Sequence, residues 1–201
     1  MIKYLRLDVS KSLITTLTLA LLLAGCSQQQ SPTTSPTPSQ SENSVQPPGN
    51  QSNPTVISDT YGSKSAALKT SLTLEEMLQY AIEDEYMAQA EYKYVLTAFG
   101  NQNPFTNIAA AEETHINALK GLYNTRNMTV PSDNSAQFLV KPANIKDSLS
   151  LGVEAEIANI NMYKNFLNTS NLPNDLKIVF NQLKAGSESH LNAFRNVLNR
   201  Y

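Results

Sequence analysis

The stretch "AAAEETHINAL", residues 109–119, places a glutamate and a histidine in the middle of a small and apolar run. Glu112 lies three residues before His115, so both side chains project from nearly the same face of a helix. A carboxylate and an imidazole on a buried face need partners, because burying unpaired polar groups costs free energy. The alternative is a solvated pair on a helix whose register is shifted by one residue. The other residues on the same face are apolar: Phe105, Ile108, Leu119 and Leu122.

Three further segments show the same helical spacing of apolar residues. Prolines separate the segments, and none of the four segments contains one in its interior. Each segment carries one apolar stripe, which is typical of helices packed side by side. The sequence therefore predicts an all-α fold, a four-helix bundle. The separating prolines are Pro104, Pro131, Pro142 and Pro173.

The ends of the four helices follow from capping signals. The first helix begins at Thr73, which can form a capping box with Glu76, and stops near Gly100. The second opens at "NPF", residues 103–105, with Asn103 as the cap and Pro104 in the first turn. We expect the third to begin near residues 147–148 and the fourth to follow "NLPND", residues 171–175.

The two halves of the helical region resemble each other. "EYMAQAEY", residues 85–92, and "EIANINMY", residues 156–163, each place a tyrosine seven residues after a glutamate. "AEETHINAL", residues 111–119, and "GSESHLNAF", residues 186–194, align His115 with His190. A duplicated helical hairpin is the economical explanation. At one position the repeat fails, because Ser187 aligns with Glu112.

These residues predict a metal site in the middle of the bundle. Carboxylates with imidazoles suit iron, manganese or zinc rather than metals that prefer soft ligands. We expect one or two ions. Two aligned tyrosines, Tyr92 and Tyr163, either hydrogen-bond to the ligand carboxylates or are ordinary core aromatics. The predicted ligands are Glu85, Glu112, His115, Glu156 and His190.

With these motifs, residues 72–200 resemble the ferritin-like superfamily, and within it the bacterial domain of unknown function 2202 family. The resemblance implies an up-down-down-up bundle with a long connection between the second and third helices. It also implies six ligands, of which Ser187 removes one, so one ion is bound weakly or the site is mononuclear. We expect the glutamates outside the stripes to be solvated: Glu83, Glu91, Glu113, Glu154 and Glu188.

The N-terminus has the form of a targeting signal. Three basic residues precede the uncharged stretch "LITTLTLALLLAG", residues 13–25, which is too short to span a bilayer. "LLAGC" resembles the lipobox of bacterial lipoproteins, which implies cleavage before Cys26, a lipid on its thiol, and export. Ser27 favours the outer membrane or cell surface. An ordinary secretory signal with a chance cysteine is the alternative.

The composition sets the domain boundaries and excludes several classes of protein. Residues 27–53 are rich in Ser, Pro and Gln, so we predict a signal peptide over 1–25, a disordered tether over 26–70 and the helical domain over 71–201. Cys26 is the only cysteine, which excludes disulfides and thiolate-ligated metals. Residues 1–25 carry three basic and one acidic residue, so the remainder has a net charge of −4. This charge argues against a nucleic-acid partner.

The expected function is that of an exported, lipid-anchored metal protein. Iron is the first candidate for the ion. The ferritin-like resemblance implies oxidation of iron(II) or reduction of peroxide. An external reductant is then needed, because the chain has no cysteines for an electron relay. The alternative is a metal-binding or structural surface module that carries out no turnover.

Overall fold

Helices make up all the regular secondary structure in residues 60–201, the part of the chain that the computed structural model describes. The prediction of an all-α fold is confirmed. The predicted signal peptide, the predicted lipid attachment at Cys26 and the tether up to residue 59 lie outside the described residues. In chain order the elements are α1 (Ser63–Ala67), α2 (Leu74–Phe99), α3 (Phe105–Thr125), a 3-10 helix (Ser135–Gln137), α4 (Ile145–Leu167) and α5 (Asn174–Leu198).

Capping explains most of the helix ends. The Thr73 hydroxyl accepts from the Glu76 amide at 3.1 Å and the Glu76 carboxylate accepts from the Thr73 amide at 2.9 Å, so the predicted capping box is confirmed. At α3 the cap is Pro104 rather than Asn103, and no side chain caps the helix. Helix α4 begins at Ile145, earlier than predicted, because Asn144 caps it.

The four long helices pack as two hairpins. Helix α2 packs along α3, and α4 packs along α5. The hairpins meet where α2 contacts α4 and α3 contacts α5. The segment 126–144, which includes the 3-10 helix, connects one hairpin to the other.

Two apolar clusters fill the interior, and each contains three aromatic rings in mutual contact. In the first cluster the rings of Tyr163, Phe166 and Phe180 have centroids 5.4–6.1 Å apart. In the second the rings of Tyr92, Phe105 and Phe194 have centroids 5.2–6.0 Å apart. Removing one such buried ring typically costs about 3–5 kcal/mol. On every long helix the predicted ligands lie between residues of one cluster and residues of the other.

The described chain begins before the predicted boundary at residue 71. Helix α1 lies within the range that we assigned to the tether, and it packs against α2 and α4. Tyr61 is buried and stacks on Phe138 with ring centroids 4.8 Å apart. This packing also buries Glu83, whose carboxylate accepts a hydrogen bond from the Gly62 amide at 3.2 Å. The expectation that Glu83 is solvated is therefore wrong.

Within residues 60–201, no helix is both long and apolar enough to cross a lipid bilayer.

Candidate metal centre

The structure brings the five predicted ligands together between the two apolar clusters. They form two groups of three, each with a pair of carboxylates and one imidazole whose ligand atoms lie within 4.8 Å of one another. The three glutamates are at most 3% exposed. Glu112 belongs to both groups. The groups, which we call the first and second subsite, are Glu85, Glu112 and His115, and Glu112, Glu156 and His190.

In the first subsite, the imidazole of His115 faces two carboxylates. Its Nδ1 atom lies 3.0 Å from Glu85 Oε2 and 2.9 Å from Glu112 Oε2. Glu85 projects from α2, whereas Glu112 and His115 project together from α3 because they are three residues apart. The solvated alternative for Glu112 is wrong, since the carboxylate is buried.

The second subsite is less completely hydrogen-bonded. Nδ1 of His190 lies 3.1 Å from Glu112 Oε1 and 3.4 Å from Glu156 Oε1. The atom is buried, yet neither approach has the geometry of a hydrogen bond. A buried polar atom without a hydrogen bond is unusual in a folded protein and calls for an explanation. A cation between the nitrogen and the two carboxylates would supply the missing partner.

Tyr92 and Tyr163 each hydrogen-bond to a predicted ligand carboxylate and also pack as core aromatics, the two alternatives that the sequence left open. Tyr92 donates to Glu156 Oε1 at 2.7 Å, and Tyr163 donates to Glu85 Oε1 at 2.6 Å. Each ring also belongs to one of the aromatic trios. Each tyrosine therefore fixes one oxygen of a carboxylate. Tyr163 holds Oε1 of Glu85, and the second oxygen of Glu85 faces the imidazole of His115. Outer hydrogen bonds of this kind orient metal ligands in many proteins.

Ser187 is buried, but it does not reach the carboxylates itself. Its hydroxyl donates to Asn159 Oδ1 at 2.6 Å. The amide nitrogen of Asn159 then donates to Glu85 Oε1 at 3.2 Å and to Asp84 Oδ2 at 2.8 Å. The position of the missing sixth ligand is thus occupied by a neutral hydrogen-bonded pair, Ser187 and Asn159.

Burial and the histidines together set the charges of the site. Desolvation raises the pKa of Glu85 to about 8, although the hydrogen bond with His115 opposes this shift. Desolvation also favours the neutral form of Glu112, but the nearby His115 and His190 outweigh it and lower the pKa of Glu112 to about 2. Burial disfavours the charged imidazoles, yet the carboxylates raise the pKa of His115 to about 10 and of His190 to about 9. In the metal-free protein, protons on the imidazoles therefore offset the carboxylate charge.

A glycine makes room for one of the imidazoles. A Cβ atom on Gly186 would lie 2.6 Å from Nε2 and 2.7 Å from Cε1 of His115. Contacts this short do not occur between real side chains, so any larger residue at position 186 forces the ring to move. Gly186 in α5 thus fixes how closely the ring of His115 approaches the neighbouring helix.

A cavity of about 470 Å³ lies between α2 and α4. All three predicted ligand glutamates line this cavity, and neither histidine does. Glu91 lines it as well and is half-buried rather than fully solvated, which corrects the expectation for that residue. Desolvation raises the pKa of Glu91 to about 7. Glu113, Glu154 and Glu188 lie at or near the surface, and Glu188 pairs with Lys184 at 2.9 Å.

The donor set fits a divalent first-row metal ion. Glutamate oxygens and imidazole nitrogens suit iron, manganese and zinc. Each subsite offers three protein donors and one side open to the cavity, and two ions would share Glu112. Asp84 and Asn159 were missed by the sequence analysis. The sequence signal for both residues is that a polar side chain in one half of the repeat aligns with an alanine in the other, Asp84 with Ala155 and Asn159 with Ala88.

Comparisons with known proteins name no function. The chain is 28% identical over 134 residues to an uncharacterised protein of Methanocaldococcus jannaschii. The match covers 59% of this chain and 71% of the relative. No protein-family profile matches the chain, and no solved structure matches it.

We expect His115→Ala and Glu85→Ala each to weaken the binding of one divalent ion by more than about 100-fold, because each removes a direct ligand. Glu113→Ala and Glu188→Ala should leave the affinity unchanged, since both carboxylates project away from the site. The affinities are measured by letting the protein and a chromophoric chelator compete for manganese(II). A loss of affinity in Glu188→Ala as large as that in His190→Ala would contradict this assignment of ligands.

Gly186→Ala should weaken metal binding at the first subsite by about tenfold, because the new methyl group displaces the ring of His115. Gly121→Ala is the matched control. Gly121 also lies inside a helix, but no atom lies within 4 Å of its hypothetical Cβ. This control should leave metal affinity unchanged and stabilise the fold by about 0.5–1 kcal/mol. Chelator competition and melting curves provide both readings, and equal metal affinities in the two variants would argue against the role of Gly186.

Proposed function

We propose that this chain is an exported metal protein of ferritin-like architecture, which binds one or two divalent ions, iron first, between its four long helices. One observation carries the proposal: two groups of buried carboxylates and imidazole nitrogens share Glu112. Three buried carboxylates in contact are costly unless a cation or protons offset their charge. The ferritin-like description is supported by the two packed hairpins and by the ligand layer between their apolar clusters.

The up-down-down-up arrangement remains part of this proposal. A short turn joins only antiparallel neighbours, whereas α3 and α4 are joined by the long segment 126–144. A connection of this length suits two helices that run in the same direction. The internal repeat supports the same arrangement, because each half forms one hairpin.

The activity that we propose is oxidation of iron(II) or reduction of hydrogen peroxide. Iron supplies a one-electron redox couple and a Lewis-acid centre when it is bound. As a substrate, two iron(II) ions give two electrons to dioxygen, which takes up two protons to form hydrogen peroxide. Reduction of peroxide to two waters needs two electrons and two protons, and an external reductant supplies the electrons, because the chain has no thiolate relay.

The protein's own residues prepare the site for this chemistry. Glu112 offers one oxygen to each subsite, and the tyrosines hold Glu85 and Glu156 in place through their hydroxyl groups. The aromatic trios on both sides exclude water along the helix axes. The cavity between α2 and α4 gives a small molecule access to the carboxylates.

A second candidate function is a metal-binding or structural module without turnover. The observation that favours it is Ser187, which leaves the layer with three carboxylates instead of four. Fewer carboxylates bind a second ion less tightly, and a single ion does not support two-electron chemistry at a shared ligand. Neither the fold nor the ligand set decides between the two functions, because one fold can carry many different functions.

We further propose that a lipid at Cys26 anchors the protein in the cell envelope, at the outer membrane or cell surface. The sequence "LLAGC" and the polar segment after it support this location. The negative charge of the mature chain argues against a nucleic-acid partner.

Metal analysis followed by oxygen consumption tests the proposed function. We expect the purified chain to bind iron(II) without oxygen, and to consume dioxygen faster than iron(II) in buffer once oxygen is admitted. Glu112→Gln should lose both properties, because it alters both subsites. If the chain binds iron but consumes neither oxygen nor peroxide, the result supports a metal-binding module without turnover. Absence of iron, manganese and zinc binding would overturn both functions.

Ser187→Glu tests the position of the missing ligand. The new carboxylate would meet Asn159 Oδ1, so we expect the single variant to destabilise the metal-free fold. Asn159→Ala restores the residue found at the equivalent position of the other half, Ala88. The double variant should therefore bind a second manganese(II) ion at least about tenfold more tightly than wild type. Titrations and melting curves with and without metal measure the effects, and an unaltered stoichiometry and affinity in the double variant would contradict the prediction.

A further inference from the structure

Three polar residues beside the site have no polar or no identical counterpart in the other half of the repeat, and all three belong to one chain of hydrogen bonds. Asp84, Asn159 and Ser187 occupy the positions equivalent to Ala155, Ala88 and Glu112. Ser187 donates to Asn159, and Asn159 donates to Asp84. These three residues therefore form one connected structure, although they lie on three different helices.

This hydrogen-bond chain ends at the N-terminal segment of the described residues, 60–68, which we call the strap. Asp84 Oδ1 accepts from the Ser63 amide at 2.7 Å, at the start of α1. Gly62 has a φ of 60° and its hypothetical Cβ would lie 2.6 Å from Asp84 Oδ1, so the backbone approaches the carboxylate as closely as glycine allows. Asp84 thus receives hydrogen bonds from Ser63 of the strap and from Asn159 of α4.

The strap also lines the cavity that reaches the predicted ligand carboxylates. Tyr61 and Ser63 line the cavity together with Phe138, on which Tyr61 stacks. Glu85, Glu112 and Glu156 line the same cavity. Undocking of the strap would therefore change the walls of the cavity that these carboxylates share.

We propose that docking of the strap and metal occupancy of the first subsite are coupled, with Asp84 and Asn159 as the positioning residues. The amide nitrogen of Asn159 is shared between Asp84 Oδ2 and Glu85 Oε1. Together with Tyr163 it holds Glu85 Oε1, so that Oε2 faces His115. When the strap leaves, Asp84 loses a donor and can turn towards water, which releases Asn159 from its position beside Glu85.

The coupling acts in both directions, as linkage requires. An ion at the first subsite fixes Glu85, which holds Asn159 and Asp84 in the arrangement that binds the strap. A docked strap in turn favours the arrangement of Glu85 that binds the ion. The second subsite has no equivalent connection, because Ala155 and Ala88 replace the two positioning residues there. This inference rests on the proposed metal binding.

Hydrogen exchange of the strap amides, measured on the full chain with and without zinc(II), tests the coupling. Zinc(II) is the probe because it undergoes no redox change. We expect zinc to slow exchange in residues 62–66 by about fivefold or more. Asn159→Ala should remove this effect of zinc and weaken zinc binding at the first subsite. Asn196→Ala, at an exposed asparagine of α5, a helix that does not pack against α1, should behave as wild type.

Gly62→Ala tests the reverse direction by a change in the strap rather than in a ligand. Its methyl group undocks the strap through contact with Asp84, so strap exchange should accelerate and zinc should bind about fivefold more weakly. Because this residue lies outside the helix bundle, the variant keeps the test available if Asn159→Ala fails to fold.

The three negative results lead to two different conclusions. Zinc binding to wild type without any change in strap exchange overturns the coupling and leaves the proposed function standing. The same conclusion follows if Gly62→Ala accelerates strap exchange but binds zinc as wild type does. Absence of zinc(II), iron(II) and manganese(II) binding to the wild-type chain overturns the proposed metal binding and the coupling together.

Discussion

The buried carboxylate of Glu112 is the group on which the rest of the structure depends. Both histidines direct Nδ1 at its two oxygens, at 2.9 Å and 3.1 Å. A lone carboxylate in this position would be expelled or neutralised, because its desolvation costs several kcal/mol. The aromatic trios above and below can exclude water only because the histidines compensate this charge. Glu112 therefore requires its surroundings to supply positive charge, from imidazole protons or from a metal ion.

The internal repeat explains why two subsites exist and why they differ. Each half contributes a glutamate, a tyrosine two turns later and a histidine on the next helix, so duplication generates two similar groups around a shared centre. Among the polar residues beside the carboxylates, the halves differ at Asp84, Asn159 and Ser187. As a result, apart from the histidines, Glu85 receives two donors, from Tyr163 and Asn159, whereas Glu156 receives one, from Tyr92. The first subsite is consequently the more extensively hydrogen-bonded of the two.

Much of this arrangement follows from the sequence, because helical periodicity and a repeat are local signals. The all-α class, the capping box at Thr73 and the grouping of five ligands could be read from spacing alone. The strap could not, since α1 has only five residues and no periodic pattern. Its anchor is a hydrogen bond between residues 21 positions apart, and Asn159 reaches Asp84 across 75 positions. Spacing gives no indication of contacts of this range, and they also bury Glu83, which the pattern places in solvent.

Under the proposed metal binding, having Ser187 and Asn159 in place of a fourth carboxylate has opposite effects on ion affinity and on folding. A fourth buried carboxylate would add a ligand oxygen, but it would also repel the other three whenever the ions are absent. A serine hydroxyl and an asparagine amide fill similar space without charge, and their hydrogen bonds are satisfied within the protein. Without an ion, the layer has three carboxyl groups and two imidazoles, and protons on both imidazoles and on Glu85, whose pKa burial raises to about 8, balance the charge. Under the proposed metal binding, the neutral pair therefore lowers the affinity for a second ion and spares the ion-free core a fourth buried charge.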